Sequence, residues 1–400
     1  MIVEIKFKNM LSFKDETLFS FEANNEKEME EYHVVEIVPG VRLLKLAVVY
    51  GANASGKSNF IKISDFLKRF IVRVPTHKKE ETGIVPFLMD RGCLDQPSEL
   101  SISFYNTMDQ QTVKFVYTLV LTRFFIQKET LTYYPGQQPA MIFERTMDNN
   151  ISTIRFGTKV KLSAAAKEEI RLKCLPNMSV FAAYMQVNVS VPEIESVLNY
   201  FNKQVMPTVT PGLSLEKYSE QYLQQEETKD YILRYLKEAD FNISNIIEKE
   251  DDASFNVDML FQHIVKNEEG KDAFYDFPAL LESQGTIRTM RLAGCIKETI
   301  ENNAFLAIDE IESSLHPKLI EYIIERFLKE SEHAQLLITT HYDGLLGEDD
   351  LLRKDTIWFT EKNSNGATDL FPLTDFKGLN RISSLQKAYK FGKFGAVPNL

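Results

Sequence analysis

Gly51-Ala52-Asn53-Ala54-Ser55-Gly56-Lys57-Ser58 is the stretch on which the reading of this chain turns. It fits the pattern G-x-x-x-x-G-K-[ST] at every fixed position. Ahead of it runs the apolar segment Leu46-Ala47-Val48-Val49, inside a strand expected over Leu44 to Tyr50. Behind it a helix is expected from Gly56 to about Arg73. A buried strand that feeds a glycine-rich turn and then a helix start directs successive N–H groups, and the positive end of the helix dipole, at phosphate oxygens. In this arrangement Gly51, Asn53, Ala54, Ser55, Gly56 and Asn59 form the cradle, Lys57 neutralises the β and γ phosphates, and Ser58 ligates Mg²⁺. The expected ligands are ATP and Mg²⁺.

Phosphate chemistry also needs carboxylates, and Phe305-Leu306-Ala307-Ile308-Asp309-Glu310 is an apolar strand ending in two of them. Asp309 is the expected metal-side acid, and Glu310, pointing differently, is the expected base for the attacking water. Ile311-Glu312-Ser313-Ser314-Leu315-His316-Pro317 follows, with Pro317 opening a helix whose apolar positions repeat from Leu319 to Leu328. Next, Gln335-Leu336-Leu337-Ile338-Thr339-Thr340-His341 reads as a second buried strand. His341 at its end is the expected hydrogen-bond partner of a γ-phosphate.

Leu281-Glu282-Ser283-Gln284-Gly285-Thr286 opens a further helix, and Ser283 stands 26 residues before Asp309. Ser283 is a good helix cap, and with Gly285 it makes a second anion cradle. The chain already has its phosphate loop, so this cradle is expected to serve the nucleotide of a second copy.

Composition bounds the rest. With 400 residues, 44% hydrophobic and 26% charged, the chain can bury a sizeable core. No apolar stretch approaches the roughly 18 to 20 residues a membrane helix needs, and Met1-Ile2-Val3-Glu4-Ile5-Lys6 lacks the build of a signal peptide, so a cytoplasmic protein is expected. Cys93, Cys174 and Cys295 are widely spaced and read as reduced thiols rather than metal ligands. A net charge of −11 argues against a generally basic nucleic-acid binder, while leaving room for a local basic groove.

The expected fold class is α/β, with three parts. Residues 1–160 carry the phosphate loop and an antiparallel β lobe; residues 161–250 read as a compact helical insertion without sustained heptads; residues 251–400 carry the acidic strand, the histidine strand and the tail.

The order of these motifs resembles the ABC-type P-loop ATPase head of the SMC, RecF and OLD groups, in which two heads sandwich two nucleotides. A transporter subunit fits less well, because Leu281-Glu282-Ser283-Gln284-Gly285 stands where such subunits carry Leu-Ser-Gly-Gly-Gln. Phe7-Lys8-Asn9-Met10-Leu11-Ser12-Phe13-Lys14-Asp15, the phosphate loop, Val85-Pro86-Phe87 and the tail from Tyr389 to Pro398 are similar to the RloA-type AAA ATPases of anti-phage systems. That resemblance implies a RloB-like or other Toprim-type effector as partner. The resemblance to ABC heads implies a glutamine that senses Mg²⁺, for which Gln96 is the nearest candidate. The Gly-rich aromatic tail fits either a docking strip for a partner or a segment packed on the head.

Two functions are carried forward. The first is a nucleotide-driven switch that holds or releases an effector. The alternative is a DNA-binding clamp in repair or chromosome maintenance, whose local basic candidates are Lys68, Arg69, Arg73, Lys78, Lys79, Arg288 and Arg291. A scaffold that binds ATP without cleaving it is disfavoured, because no catalytic position is missing.

Overall fold

The computed structural model describes residues 1–148, 151–212, 222–239, 241–250 and 257–397. At its centre is a five-stranded sheet in the order Phe305–Ile308, Gln335–Thr340, Leu46–Tyr50, Ile357–Lys362, Thr368–Pro372. The first four strands are parallel, and only Ile357–Lys362 with Thr368–Pro372 pair antiparallel. Leu46–Tyr50 is wholly buried, as a parallel strand covered on both faces must be. Side-chain alternation divides it between two cores: Ala47 and Val49 enter one, Leu46, Val48 and Tyr50 the other.

The first core is closed by the helix Lys57–Val72 and by a seven-stranded antiparallel sheet. That sheet runs Ile151–Phe156, Ala140–Asp148, Ile126–Tyr134, Gln111–Leu121, Ser98–Met108, Ile2–Lys8, Thr17–Ser20. The helix presents Phe60, Ile61, Ile63, Leu67, Phe70 and Ile71 to this core, at helical spacing. On the other face of the central sheet, helices Glu226–Glu238, Gln284–Glu301 and Pro317–Glu330 build the second core. The fold is α/β, a mainly parallel central sheet with an antiparallel lobe.

The segment expected as a helical insertion over 161–250 is placed differently in two respects. Its helices Ala164–Lys173, Val180–Tyr184 and Pro192–Asn199 bury Ile170, Phe181, Ile194 and Val197 in the first core rather than forming a separate body. They are tied there by a buried pair. Glu129 accepts the Val180 N–H at 3.0 Å and the Tyr117 hydroxyl at 2.9 Å, while Arg145, 3.6 Å from Glu129, donates to the Met178 and Leu175 carbonyls. Removing one partner of such a pair would strand a buried charge.

The second difference is a strand at Ile243–Glu250, which pairs antiparallel with Val257–Lys266, itself paired with Asp272–Pro278. Ile243 and Ile246 both turn to the core although they stand three positions apart, because the register shifts between Ile243 and Asn245, and that spacing gives no period-2 signal in the sequence. Part of the expected insertion, residues 213–221 and 240, lies outside the described residues, as do 251–256.

Leu44–Tyr50 is also not one strand. Val41–Leu44 pairs with Val34–Val38, and Lys45 separates it from Leu46–Tyr50. Lys45 is buried, donates to the Leu328 and Ser331 carbonyls at 2.9 and 2.7 Å, and is pushed down to about 8 by burial. The tail packs on the head: Phe359 stacks with Tyr389 and with Phe394, and the Tyr389 hydroxyl donates to the Ala396 carbonyl at 3.0 Å. Phe391 projects from it, and Pro398 lies outside the described residues. No described helix is long and apolar enough to cross a membrane.

Candidate nucleotide site

The phosphate loop leaves Leu46–Tyr50 and enters the helix Lys57–Val72 through two left-handed residues, Ala54 at φ 61° and Gly56 at φ 118°. Only glycine takes the second value without strain. A Cβ on Gly56 would also sit 2.3 Å from Thr368 Oγ1. Gly51 is equally confined, its Cβ position lying 2.4 Å from Thr360 Oγ1.

Three hydroxyls outside the motif brace the loop. Ser55 Oγ and Thr360 Oγ1 share a 2.6 Å hydrogen bond. Thr368 Oγ1 reaches the Ser55 carbonyl at 2.7 Å and the Ser12 hydroxyl at 2.9 Å, while the Thr368 N–H donates to the Ser12 carbonyl at 2.7 Å. The turn carrying Ser12 is fixed by Asn9, whose side chain accepts the Phe87 N–H at 3.0 Å and donates to the Cys93 carbonyl at 2.8 Å. The N-terminal motif and Val85-Pro86-Phe87 thus form the support beneath the loop. Gln96 is exposed; its carbonyl accepts from Asn9, and it does not line the loop's cavity.

Lys57 is buried at the helix start and donates to the Gly51 carbonyl at 2.7 Å and the Ala52 carbonyl at 3.0 Å. Burial pulls its ammonium below the ordinary lysine range, and the negative charges of Glu312, Glu310 and Asp309 oppose that pull. The phosphate loop and the acidic strand therefore share one electrostatic site.

Asp309 is buried and Glu310 is partly exposed, with Glu310 in the left-handed region at φ 47°. Thr339, from the neighbouring strand, serves both. Its hydroxyl donates to Asp309 Oδ1 at 2.6 Å and accepts the Glu310 N–H at 2.9 Å. Arg288, from the helix Gln284–Glu301, donates to the Glu310 carbonyl at 3.2 Å.

His341 follows Gln335–Thr340 and is held by Glu312, whose Oε1 lies 2.7 Å from its N–H and 2.5 Å from Nδ1. A cavity of about 770 Å³ opens here, lined by residues 51–55, His341, Asp343, Thr360, Lys362 and the tail residues Tyr389, Lys390, Ala396 and Val397. A larger one, about 840 Å³, lies away from the loop between Glu226–Glu238 and Ile243–Glu250 and contains none of these groups.

Ser283 caps the helix Gln284–Glu301, accepting the Thr286 N–H at 3.0 Å. It is exposed, and neither it nor Gly285 lines the 770 Å³ cavity. A Cβ on Gly285 would lie 3.0 Å from the Ser314 carbonyl, which puts the helix start against the turn that follows Glu310.

Among the described residues no group of three or more His, Cys, Asp or Glu side chains is arranged to hold a metal. Mg²⁺ carried on phosphates needs only one or two protein oxygens and keeps much of its water. Ser58 and Asp309 are the residues expected to offer them. Cys174 and Cys295 are buried, each pushed up to about 12 by burial, in keeping with inert thiols.

Sequence reasoning missed Thr360 and Thr368, and it named Ser12, Thr339, Glu312 and Arg288 without giving them a part in this site. Thr339 alone carried a local signal, a hydroxyl interrupting the apolar run Leu336-Leu337-Ile338 just before His341. The others act across large sequence separations.

A glycine-rich loop between a central parallel strand and a helix, with an acid-tipped strand two places away, is the arrangement of the P-loop nucleotide-binding class. Over residues 46–157 and 211–347 the chain matches the family described as "AAA domain, putative AbiEii toxin, Type IV TA system", and it belongs to that family. Among solved structures it is similar to the SMC head domain from Thermotoga maritima, at 15% identity and TM-score 0.42 over 93% of this chain and 98% of that one. It is also similar to an SmcHead bound to the C-winged helix domain of ScpA, at 13% identity and TM-score 0.45 over 97% and 99%. An Smc head domain with an extended coiled coil, bound to the C-terminal domain of ScpA from Pyrococcus furiosus, aligns at 14% identity and TM-score 0.43 over 98% of each. No curated protein matches this chain.

Proposed function

We propose that this chain binds and hydrolyses ATP, and that ATP-driven pairing of two heads controls a partner effector, a nuclease of the RloB or Toprim type, in anti-phage defence. The observation that carries the reading is Lys57, buried at the helix start and hydrogen-bonded to its own loop, with the charges of Glu312, Glu310 and Asp309 near enough to oppose the effect of its burial. A buried cation between a phosphate cradle and three carboxylates suits a phosphate–metal ligand better than any apolar one. In this reading Lys57 neutralises the β and γ phosphates, Glu310 orients and deprotonates water, and His341 contacts the γ-phosphate. Ser58 and Asp309 would hold Mg²⁺, which would supply charge neutralisation on the β and γ oxygens. Ser283 and Gly285 serve the nucleotide of a second copy, so turnover belongs to the paired state. The family's description as part of a toxin–antitoxin system supports an effector-control role.

The DNA-clamp alternative draws less support. Arg73 is paired with Glu80 at 2.9 Å, Lys68 donates to the Val205 carbonyl, and Arg288 donates to the Glu310 carbonyl. Cations engaged in this way are not a free phosphate-binding stripe.

Purifying tagged Glu310→Gln protein from its native host with ATP and Mg²⁺, then identifying what accompanies it, tests the reading. A stoichiometric nuclease-like polypeptide supports effector control. Abundant nuclease-sensitive DNA without such a partner replaces it with the clamp.

A further inference from the structure

Glu312 has no chemical task in the reading above beyond its charge, yet its side chain is closely held. It sits in the turn after the acidic strand, between Glu310 at φ 47° and Ser314 at φ 60°. The turn is closed by the Ser313 N–H donating to the Glu310 carbonyl at 2.9 Å and the Leu315 N–H donating to the Glu312 carbonyl at 3.1 Å. Its side chain is 11% exposed. One oxygen, Oε1, meets both the backbone N–H and the Nδ1 of His341, at 2.7 and 2.5 Å. The other, Oε2, is buried with no hydrogen-bond partner among the described residues. A buried carboxylate oxygen left unpaired is costly, so a position that keeps one invites a functional account.

The geometry points to Glu312 as a positioning residue that holds the His341 imidazole with Nδ1 turned back to the carboxylate and Nε2 left for the γ-phosphate. This rests on the nucleotide reading of the site. Accepting from the backbone N–H and the ring of the same residue fixes both the ring's location and its rotation, which a single contact would not. His341 is more than half exposed, and the strand before it ends at Thr340, so nothing in regular structure would otherwise orient the ring.

The test uses the full chain with ATP and Mg²⁺, comparing Glu312→Ala, Glu312→Gln, His341→Ala and the Glu312→Ala/His341→Ala double variant. Two readouts are taken: equilibrium ATP affinity with kcat, and the protonation pattern of the His341 ring from nitrogen-15 spectra, assigned by its loss in His341→Ala. The expected result is a proton on Nδ1 in the parent chain, lost in Glu312→Ala and kept in Glu312→Gln, whose amide oxygen still accepts. Glu312→Ala should leave ATP affinity unchanged and lower kcat about tenfold, as loss of an orienting partner does elsewhere. The double variant should be no worse than His341→Ala. An unaltered ring pattern in Glu312→Ala overturns the proposal, and so do equal losses in the Ala and Gln variants that add to His341→Ala. A parent chain that neither binds nor hydrolyses ATP would instead remove the nucleotide reading, and the ring spectra would still decide the positioning claim.

Discussion

Thr339 and Asp309 are joined by a 2.6 Å hydrogen bond, and the same Thr339 hydroxyl accepts the N–H of Glu310 at 2.9 Å. One side chain on the histidine strand therefore fixes the carboxylate expected on the metal and the backbone of the acid expected on the water. Thr339→Val keeps the shape and removes both bonds. Turnover should fall by about 10- to 100-fold, as for other partners that orient metal-side ligands. Thermal stability should drop by about 1–3 kcal/mol, because a buried acceptor and an N–H lose their partner. Thr339→Ser should restore most of both, as read by steady-state ATPase assay and thermal melts.

Lys57→Ala should abolish nucleotide binding, because the cradle then lacks the cation that meets the β and γ phosphates. Glu310→Gln should preserve ATP affinity and lower kcat by about 10²- to 10⁴-fold, the range for loss of a general base. Normal ATP binding in the first variant, or undiminished hydrolysis in the second, would withdraw the role given to that residue.

Composite sites make a distinct prediction about mixtures. Lys57→Ala and Ser283→Arg chains, each inactive alone, should regain roughly one working site per mixed dimer, because one site then draws its loop and its cap from undamaged partners. An inactive mixture, with mixed dimers shown by differential tagging, would count against pairing through Ser283.

Gly56 is held twice, by its φ of 118° and by Thr368 Oγ1 at 2.3 Å from where a Cβ would be. Gly56→Ala should destabilise the chain by about 1–3 kcal/mol and weaken ATP binding, since backbone strain and a steric clash act on the cradle together. Adding Thr368→Ala should relieve the clash and not the strain, giving partial recovery in calorimetric melts.

His33 is buried beside Arg353, Asp355 and Lys45, and burial, followed by the Arg353 charge, pushes its imidazole down to about 4. The unfolded chain takes up this proton near 6.5, whereas the folded chain does so near 4. Above pH 6.5 the residue therefore contributes no pH dependence. Between 6.5 and 4 it should make stability fall with pH by at most about 1.4 kcal/mol per unit. His33→Gln removes this contribution, so denaturant melts of the two proteins should diverge as pH drops through that window, with the parent chain losing more.

The parts of this protein legible in its sequence are those made by residues close together in the chain. The phosphate loop, the acid-tipped strand, the helix begun at Pro317 and the cap at Ser283 each depend on local backbone preference or on an apolar period, which a short stretch expresses by itself. Tertiary structure alone decided what braces them. Thr360 and Thr368 reach Ser55 from more than 300 residues away, and Glu129 with Arg145 binds the helices after residue 160 into the antiparallel lobe. It also decided that Ile243–Glu250 is a strand, because its partner Val257–Lys266 supplies the hydrogen bonds that a strand cannot make alone. A hydrogen bond between distant residues leaves no periodicity in either of them, so it becomes visible only once the chain has folded.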